Sequence, residues 1–104
     1  MIIKPKITKM DCGPLQVFLD KKIGDKHPIK AGVFTVEPGK SLELHTHEGC
    51  DEYCWVFKGV GNFEIGGKDF VVKEGEVIKI PKDIAHRSYP IGEKSFTSFF
   101  IVCP

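Results

Sequence analysis

The chain lacks the features that mark membrane proteins, secreted proteins and nucleic-acid binders. No apolar stretch reaches the roughly 7 residues of a signal-peptide core or the roughly 18 of a membrane span. Fifteen basic residues are balanced by 14 acidic ones, and Lys and Arg never occur more than two in a row. Such a chain has no electrostatic footprint for a phosphate backbone. These absences predict a cytoplasmic protein that binds neither a membrane nor a nucleic acid.

Cysteines are few, and their spacing argues against a zinc site built on CxxC pairs. The chain has four, and no two of them are separated by just two residues: Cys12, Cys50, Cys54 and Cys103. Because no secretion signal precedes them, they are predicted to stay reduced rather than to form disulfides. A chain of 104 residues buries roughly 65% of its unfolded surface, which is enough for a core without disulfide bonds.

Segments long enough for a helix are scarce as well. Eleven Gly and seven Pro divide the chain into short pieces rich in Val, Ile and Phe. Strands are predicted over residues 15–20, 32–37, 41–46, 52–58, 61–65, 68–73, 77–80 and 95–102. Gly66 and Gly67, in FEIGGKDFVV, supply the positive φ angles of a two-residue hairpin turn. We therefore expect one all-β domain over residues 1–104, an antiparallel sandwich or barrel, with residues 1–12 at a sheet edge.

The most specific polar pattern is HTHEGCDE, which directly precedes the apolar run YCWVF. On a strand, His45 and His47 lie on one face with their Cα atoms about 7 Å apart, close enough to share an ion. Glu52 begins the next strand, and an antiparallel return brings its carboxylate beside the two imidazoles. This donor set favours iron, manganese, nickel or cobalt. Taken singly, HxH is also compatible with two surface histidines, and Glu52 with a solvated charge.

The spacing of these residues resembles the first signature of the cupin family, G(X)5HXH(X)3,4E(X)6G. Every fixed position of that signature is filled: Gly39, His45, His47, Glu52 and Gly59. After 15 further residues comes a match to the second signature, G(X)5PXG(X)2H(X)3N, at Gly75, Pro81 and His86.

Two positions of the second signature differ. Asp83 replaces a glycine, which is tolerable because Asp enters the left-handed region more readily than most residues. Pro90 replaces an asparagine and removes both a side-chain amide and a backbone donor. Neither change removes a metal ligand, but both leave the shape of the expected loop over residues 84–91 open.

The resemblance implies a cupin jelly-roll β-barrel of about eight or more antiparallel strands. It further implies a single divalent metal ion (Fe, Mn, Ni, Co or Zn), with the ligands His45, His47, Glu52 and His86. Four protein ligands on a six-coordinate ion leave about two positions for water or a chelating substrate, so a small-molecule ligand or substrate is the expected partner. Outside this context, His86 would be read as a loop histidine satisfied by hydrogen bonds.

Strand alternation predicts what surrounds the metal. It directs Glu43 and Cys54 inward, on the faces of the ligands. It directs an apolar group outward: Leu42, Leu44, Tyr53, Trp55 and Phe57. Because so large an apolar surface is unusual on a monomer, we expect a homodimer, with coverage by the N-terminal segment as the alternative.

Four further residues are candidates for a role in the site. Cys50 and Cys54 are thiols near the ligands, suited either to metal binding or oxidation or, for Cys54, to the role of a small buried hydrophobe. Glu43 is a candidate general base, although most charged strand residues are solvated. Arg87, beside His86, is a candidate anchor for an anionic substrate and equally suits a solvent-facing position.

Two functions fit this sequence. The first is a metal-dependent enzyme of the oxygenase or isomerase type, in which the ion polarises a small polar substrate. The second is a non-catalytic binding cupin that holds a sugar or small acid with a structural or anchoring metal. The ligand set does not choose between them.

Overall fold

A computed structural model describes residues 1–104 and contains ten β-strands and no helix. The strands are β1 (Lys6–Met10), β2 (Gly13–Asp20), β3 (Asp25–Lys26), β4 (Lys30–Val36), β5 (Asp51–Lys58), β6 (Gly61–Ile65), β7 (Lys68–Val72), β8 (Val77–Ile80), β9 (His86–Pro90) and β10 (Phe96–Cys103). No helix that is long and apolar enough to cross a membrane is present.

The strands form two sheets that face each other across one core. The larger sheet has seven strands in the order β1-β2-β4-β10-β5-β8, with the short β3 running parallel to β2. The smaller sheet has three strands in the order β7-β6-β9, and every pairing other than β2–β3 is antiparallel. The predicted all-β jelly roll is confirmed, although the two sheets do not close into a continuous barrel.

Alternation along the strands builds the core between the sheets. In β5 the side chains of Glu52, Cys54 and Val56 are buried, whereas the residues between them are exposed, as predicted. On β10, Phe96 is completely buried. The centroid of its ring lies 5.8 Å from that of Phe34 in the larger sheet and 5.7 Å from that of Phe63 in the smaller sheet. Phe96 therefore joins the two layers.

The hairpin between β6 and β7 holds the smaller sheet in place beside the site. Gly66 and Gly67 have φ angles of 57° and 80°, and Ile65 pairs with Lys68 across them, so the predicted two-residue turn is confirmed. On its other edge β6 pairs with β9, with Ile65 opposite His86. The hairpin thus fixes the position of the strand that carries His86.

The predicted strand over residues 41–46 is wrong. This segment has only an isolated bridge, between His45 and His86, and one further backbone bond from Leu42 to Ser88. From Leu42 to His45 the segment contains three steps, whereas β9 covers the same distance in two steps, from Ser88 to His86. The segment therefore contains one extra residue, a bulge, which shifts the inward and outward alternation of its side chains. Leu42, predicted to face outward, consequently packs against the core, whereas Leu44 is exposed as expected.

Two observed strands, β3 and β9, were not predicted. β9 replaces the expected loop over residues 84–91, and its sequence HRSYP lacks the Val, Ile and Phe that mark the other strands. β3 spans two residues only. β1, by contrast, pairs with β2 at the edge of the larger sheet, where residues 1–12 were expected. Pairing with neighbours, rather than local propensity, makes these segments extended.

Candidate metal centre

Four side chains from three separate elements converge between the sheets. His45 and His47 lie on the segment that joins β4 to β5, Glu52 lies in β5, and His86 begins β9. Each contributes one ligand atom, and these atoms all lie within 4.8 Å of one another. The structure therefore brings together all four residues that the resemblance implies as ligands.

Two loops hold the histidine segment against the rest of the site. Asp83 adopts a φ of 65°, the left-handed conformation that was expected where the cupin signature has glycine. Its carboxylate accepts the N–H of Gly49 at 2.8 Å, and its own N–H donates to the carbonyl of His47 at 3.1 Å. Asp83 thus ties the loop that precedes His86 to the loop that follows His47.

Backbone carbonyls set the tautomer of two histidines. His45 Nδ1 lies 2.6 Å from the carbonyl oxygen of Glu43, and His86 Nδ1 lies 2.9 Å from that of Ile84. Because a carbonyl oxygen only accepts, each Nδ1 carries the proton and donates it. In the neutral rings the lone pair is consequently on Nε2, the atom that faces the centre, which is the arrangement of a metal-binding histidine.

The buried polar atoms at the centre fit a metal ion. Glu52 Oε1 lies 3.1 Å from His47 Nε2 and 3.2 Å from His86 Nε2. Nevertheless, neither the buried Oε1 nor His86 Nε2 has a well-directed hydrogen-bond partner. Buried polar atoms without partners are costly, and a cation bound at this point would satisfy both. Nitrogen and carboxylate donors in this number suit a divalent transition metal.

A cavity of about 510 Å³ opens beside the ligands. His45, His47 and Glu52 form part of its wall. The rest of the wall contains both apolar and charged residues, chiefly Leu15, Phe34, Leu42, Phe100, Val102, Lys9, Asp11, Lys30 and Glu43. A small molecule in this cavity would reach the ion directly.

Residues 32–102 match the family model for the cupin domain. The chain belongs to the cupin family. A protein from Methanocaldococcus jannaschii, MJ1618, is 32% identical over 92 residues, which cover 86% of this chain and 71% of the relative. The polyketide synthase CurC of Streptomyces cyaneus is 25% identical over 73 residues, which cover 70% of this chain. This cupin spans only 47% of the length of CurC.

Solved structures agree with this fold. A predicted oxalate decarboxylase from Thermotoga maritima superimposes with a TM-score of 0.74 at 24% sequence identity. The match covers 97% of this cupin and 92% of the other chain. At this identity the likeness describes the fold alone.

The electrostatics of the metal-free site distinguish its ligands. Burial raises the pKa of Glu52, but the adjacent His47 and His86 outweigh burial and bring this pKa down to about 2. Burial lowers the pKa of His45. Burial also lowers the pKa of His86, but the interactions with Glu52 and with the carbonyl of Ile84 together outweigh burial, so this pKa is raised. Near neutral pH, Glu52 is therefore anionic and His45 neutral, while His86 retains its proton to a higher pH than an ordinary histidine.

The raised pKa of His86 predicts that metal binding weakens in acid. In the metal-free protein, protonated His86 stabilises the fold. This stabilisation is complete below about pH 6.5, the pKa of a histidine in the unfolded chain, and is lost as the pH rises through the higher pKa of His86 in the folded protein. A metal must displace this proton. We expect the affinity for Co²⁺ to fall about tenfold per pH unit below that pKa for each proton released. Titration with Co²⁺ between pH 8 and pH 5.5 measures this slope, and an affinity independent of pH would contradict the assignment of His86.

The other candidate residues take different positions in this cupin. Glu43 lines the cavity beside the ligands. Arg87 does not, because its Nε lies 2.6 Å from Glu64 Oε2 and its side chain is exposed. Cys50 is partly buried against the core. Burial raises the pKa of Cys54 well above its ordinary value, and its thiol lies 3.5 Å from the second oxygen of Glu52, to which it donates.

Three charged cavity residues, Lys9, Asp11 and Lys30, were missed by the sequence analysis. Lys30 lines the cavity, but the predicted strand began at residue 32, two positions too late to include it. The signal was present in the alternation of Lys30, Gly32, Phe34 and Val36, since an inward face that ends in a lysine is unusual.

Proposed function

We propose that this cupin is a metal-dependent enzyme of the oxygenase or isomerase type that acts on a small polar molecule. The observation that supports it is the convergence of four ligand atoms within 4.8 Å at the wall of a 510 Å³ cavity. Such a ligand set leaves about two positions on a six-coordinate ion for a substrate. The ion is Fe, Mn, Ni, Co or Zn, and metal availability selects among them.

Each group of residues has a part in this function. His45, His47, Glu52 and His86 would hold the ion, which when bound supplies Lewis-acid polarisation of a substrate oxygen. Glu43, at the cavity wall, is positioned to take a proton from a bound molecule and return it. Phe34 and Phe100 line the cavity as well and would provide apolar contacts for the carbon atoms of a substrate.

The alternative is a non-catalytic cupin that binds a sugar or small acid with the metal as an anchor. No histidine other than the ligands lines the cavity, so apart from Glu43 and Asp11 few groups there are suited to acid–base chemistry near neutral pH. This scarcity is what favours a binding module. Arg87 contributes to neither function, since its guanidinium is paired with Glu64 away from the cavity.

The test combines metal analysis with oxygen consumption. Protein purified without added metal is analysed for bound elements and then assayed with small acids and sugars, with and without oxygen. Substrate-dependent oxygen uptake with bound iron supports an oxygenase, and turnover without oxygen supports an isomerase. Whichever activity is found should disappear in His47→Ala. It should persist in His27→Ala, because His27 is exposed and outside the site. Ligand binding without turnover identifies a binding module, and protein that takes up no metal contradicts the proposal.

We further propose that this cupin is a homodimer through the outer face of the larger sheet. Tyr53, Trp55 and Phe57 of β5 are 36%, 45% and 41% exposed, and Val77 beside Trp55 is 63% exposed. The N-terminal segment does not cover this surface, because β1 lies four strands away from β5 at the opposite side of the sheet. A second copy provides a self-complementary apolar partner for the same patch.

Sedimentation velocity at about 10 μM tests the dimer. The wild type is expected to sediment as a dimer and Trp55→Glu as a monomer, because a charge at the centre of an apolar interface loses its hydration. Phe70→Glu is the matched control, since Phe70 is 44% exposed on the smaller sheet. A monomeric wild type would remove this proposal and leave the metal site untouched.

A further inference from the structure

Lys30 lies on the same face of the larger sheet as the metal ligand Glu52, in the same row of residues paired across neighbouring strands. It begins β4 and pairs with Val102 of β10, which in turn pairs with Glu52 of β5. Side chains of directly paired residues stand on the same face of a sheet. Val102 and Glu52 are both buried on the inner face, at 8% and 6% exposure. Lys30 therefore extends from the same inner face as Glu52, two strands away.

This placement brings the lysine within range of a molecule bound at the metal. Neighbouring strands are spaced about 4.8 Å apart, so the backbones of Lys30 and Glu52 are separated by about 10 Å. The flexible four-carbon stem of lysine spans much of that gap. Val102 lies between the two residues in the row, and both Val102 and Phe100 line the same cavity. A ligand that connects the metal to Lys30 would pack its carbon atoms over this apolar floor.

The Lys30 ammonium forms no close ion pair in the structure. The residue is half-buried, yet it makes no ion pair within 4.0 Å: the lysines and arginine that do so are Lys40, Lys79 and Arg87. Lys30 does contribute to lowering the pKa of Asp20, but the N–H of Lys22 is the larger cause. A half-buried cation without a partner favours the binding of an anion.

The charges of the whole cavity wall point the same way once a metal is bound. Lys9 and Lys30 oppose three carboxylates, those of Asp11, Glu43 and Glu52, so the metal-free wall is negative by one charge when the histidines are neutral. A divalent ion reverses this balance to one positive charge. The loaded cavity consequently attracts an anion, whereas the metal-free cavity does not.

We propose that the ligand is a small acid held at two points, with oxygen donors on the metal at one end and a carboxylate on the Lys30 ammonium at the other. This proposal rests on the proposed metal site and specifies its substrate class. It assigns to Lys30 the anchoring role that the sequence analysis gave to Arg87.

Calorimetric titration of the Co²⁺-loaded protein with malonate and succinate tests the anchor. We expect Lys30→Met to weaken binding of the better dicarboxylate at least about tenfold, because a charge-assisted hydrogen bond is lost. Lys30→Arg should restore most of the affinity, since it keeps the charge. Lys68→Met changes the net charge equally at an exposed position of β7 and should leave the affinity unchanged. Succinamide, which is neutral, should bind all four proteins equally weakly.

The absorption spectrum of bound Co²⁺ distinguishes a failure of the metal site from a failure of the anchoring role of Lys30. If the wild type binds no Co²⁺, the metal-dependent function fails first. If Co²⁺ binds with the same spectrum in the wild type and Lys30→Met, but the two bind the dicarboxylates equally or not at all, the anchoring role of Lys30 is overturned. In that case the metal centre remains.

Discussion

Replacing His86 with alanine is expected to reduce the affinity for Co²⁺ by at least about 100-fold. The substitution removes one of four ligands, and losing even an outer partner of a ligand costs about 10–100-fold. It also leaves Glu52 Oε1, which lies 3.2 Å from His86 Nε2, facing a void in the metal-free protein. Competition with a chromophoric chelator measures the affinity.

Heat resistance gives a second measure of the same loss. Metal at 100 times its dissociation constant stabilises the wild type by about 2.7 kcal/mol, and His86→Ala at the same concentration should show almost none of this gain. His27→Ala, a change at an exposed histidine, should keep the full shift. If His86→Ala does not fold, His47→Ala is the substitute, because the His47 side chain is 27% exposed and tolerates truncation better. Wild-type protein that gains no stability from any divalent ion would contradict the metal centre.

Phe96→Ala is expected to destabilise the metal-free protein by about 3–5 kcal/mol. The side chain is completely buried, and its ring packs so closely on the backbone of β6 that a Cβ at Gly61 would lie 3.0 Å from it. Truncation leaves a cavity between the two sheets, where Phe34 and Phe63 now contact the ring. Small domains are stable by about 5–15 kcal/mol, so the loss is a large share of the total. Urea unfolding followed by Trp55 fluorescence measures it.

A second phenylalanine serves as a control that distinguishes the loss caused by the cavity from any general effect of a Phe→Ala substitution. Phe70 is 44% exposed on β7, and Phe70→Ala should change the free energy of unfolding by less than about 1 kcal/mol. Equal losses at the two positions would mean that Phe96 does not join the sheets as described. Because the ligands come from both layers, we also expect Phe96→Ala to bind Co²⁺ more weakly than the wild type.

The four candidate ligands were predictable because the signal for them is local. His45, His47 and Glu52 fall within eight residues of sequence, and the signature around His86 supplies the fourth candidate. The inward positions of Cys54 and Val56 followed from the two-residue period of β5. The hairpin was predictable because Gly66 and Gly67 adopt positive φ angles without steric cost, and both angles are positive in the structure.

The sequence was wrong or undecided where a contact with a distant segment decides the geometry. Leu42 packs inward because the segment that contains it bulges against β9, and no local pattern records that extra residue. Arg87 is beside His86 in sequence, but alternation along β9 turns it to the other face, where Glu64 of the neighbouring strand pairs with it.

The sequence by itself determined the all-β class, the cupin family and the identity of the four candidate ligands, because residue type and short-range spacing carry that information. The prediction of a cytoplasmic location also rests on the sequence alone. Only the tertiary structure decided the tautomers of His45 and His86, the unpartnered Oε1 of Glu52 and the place of Lys30 in the cavity. These features depend on pairing between strands far apart in the chain, and the register of such pairing is set by the packing of the whole core.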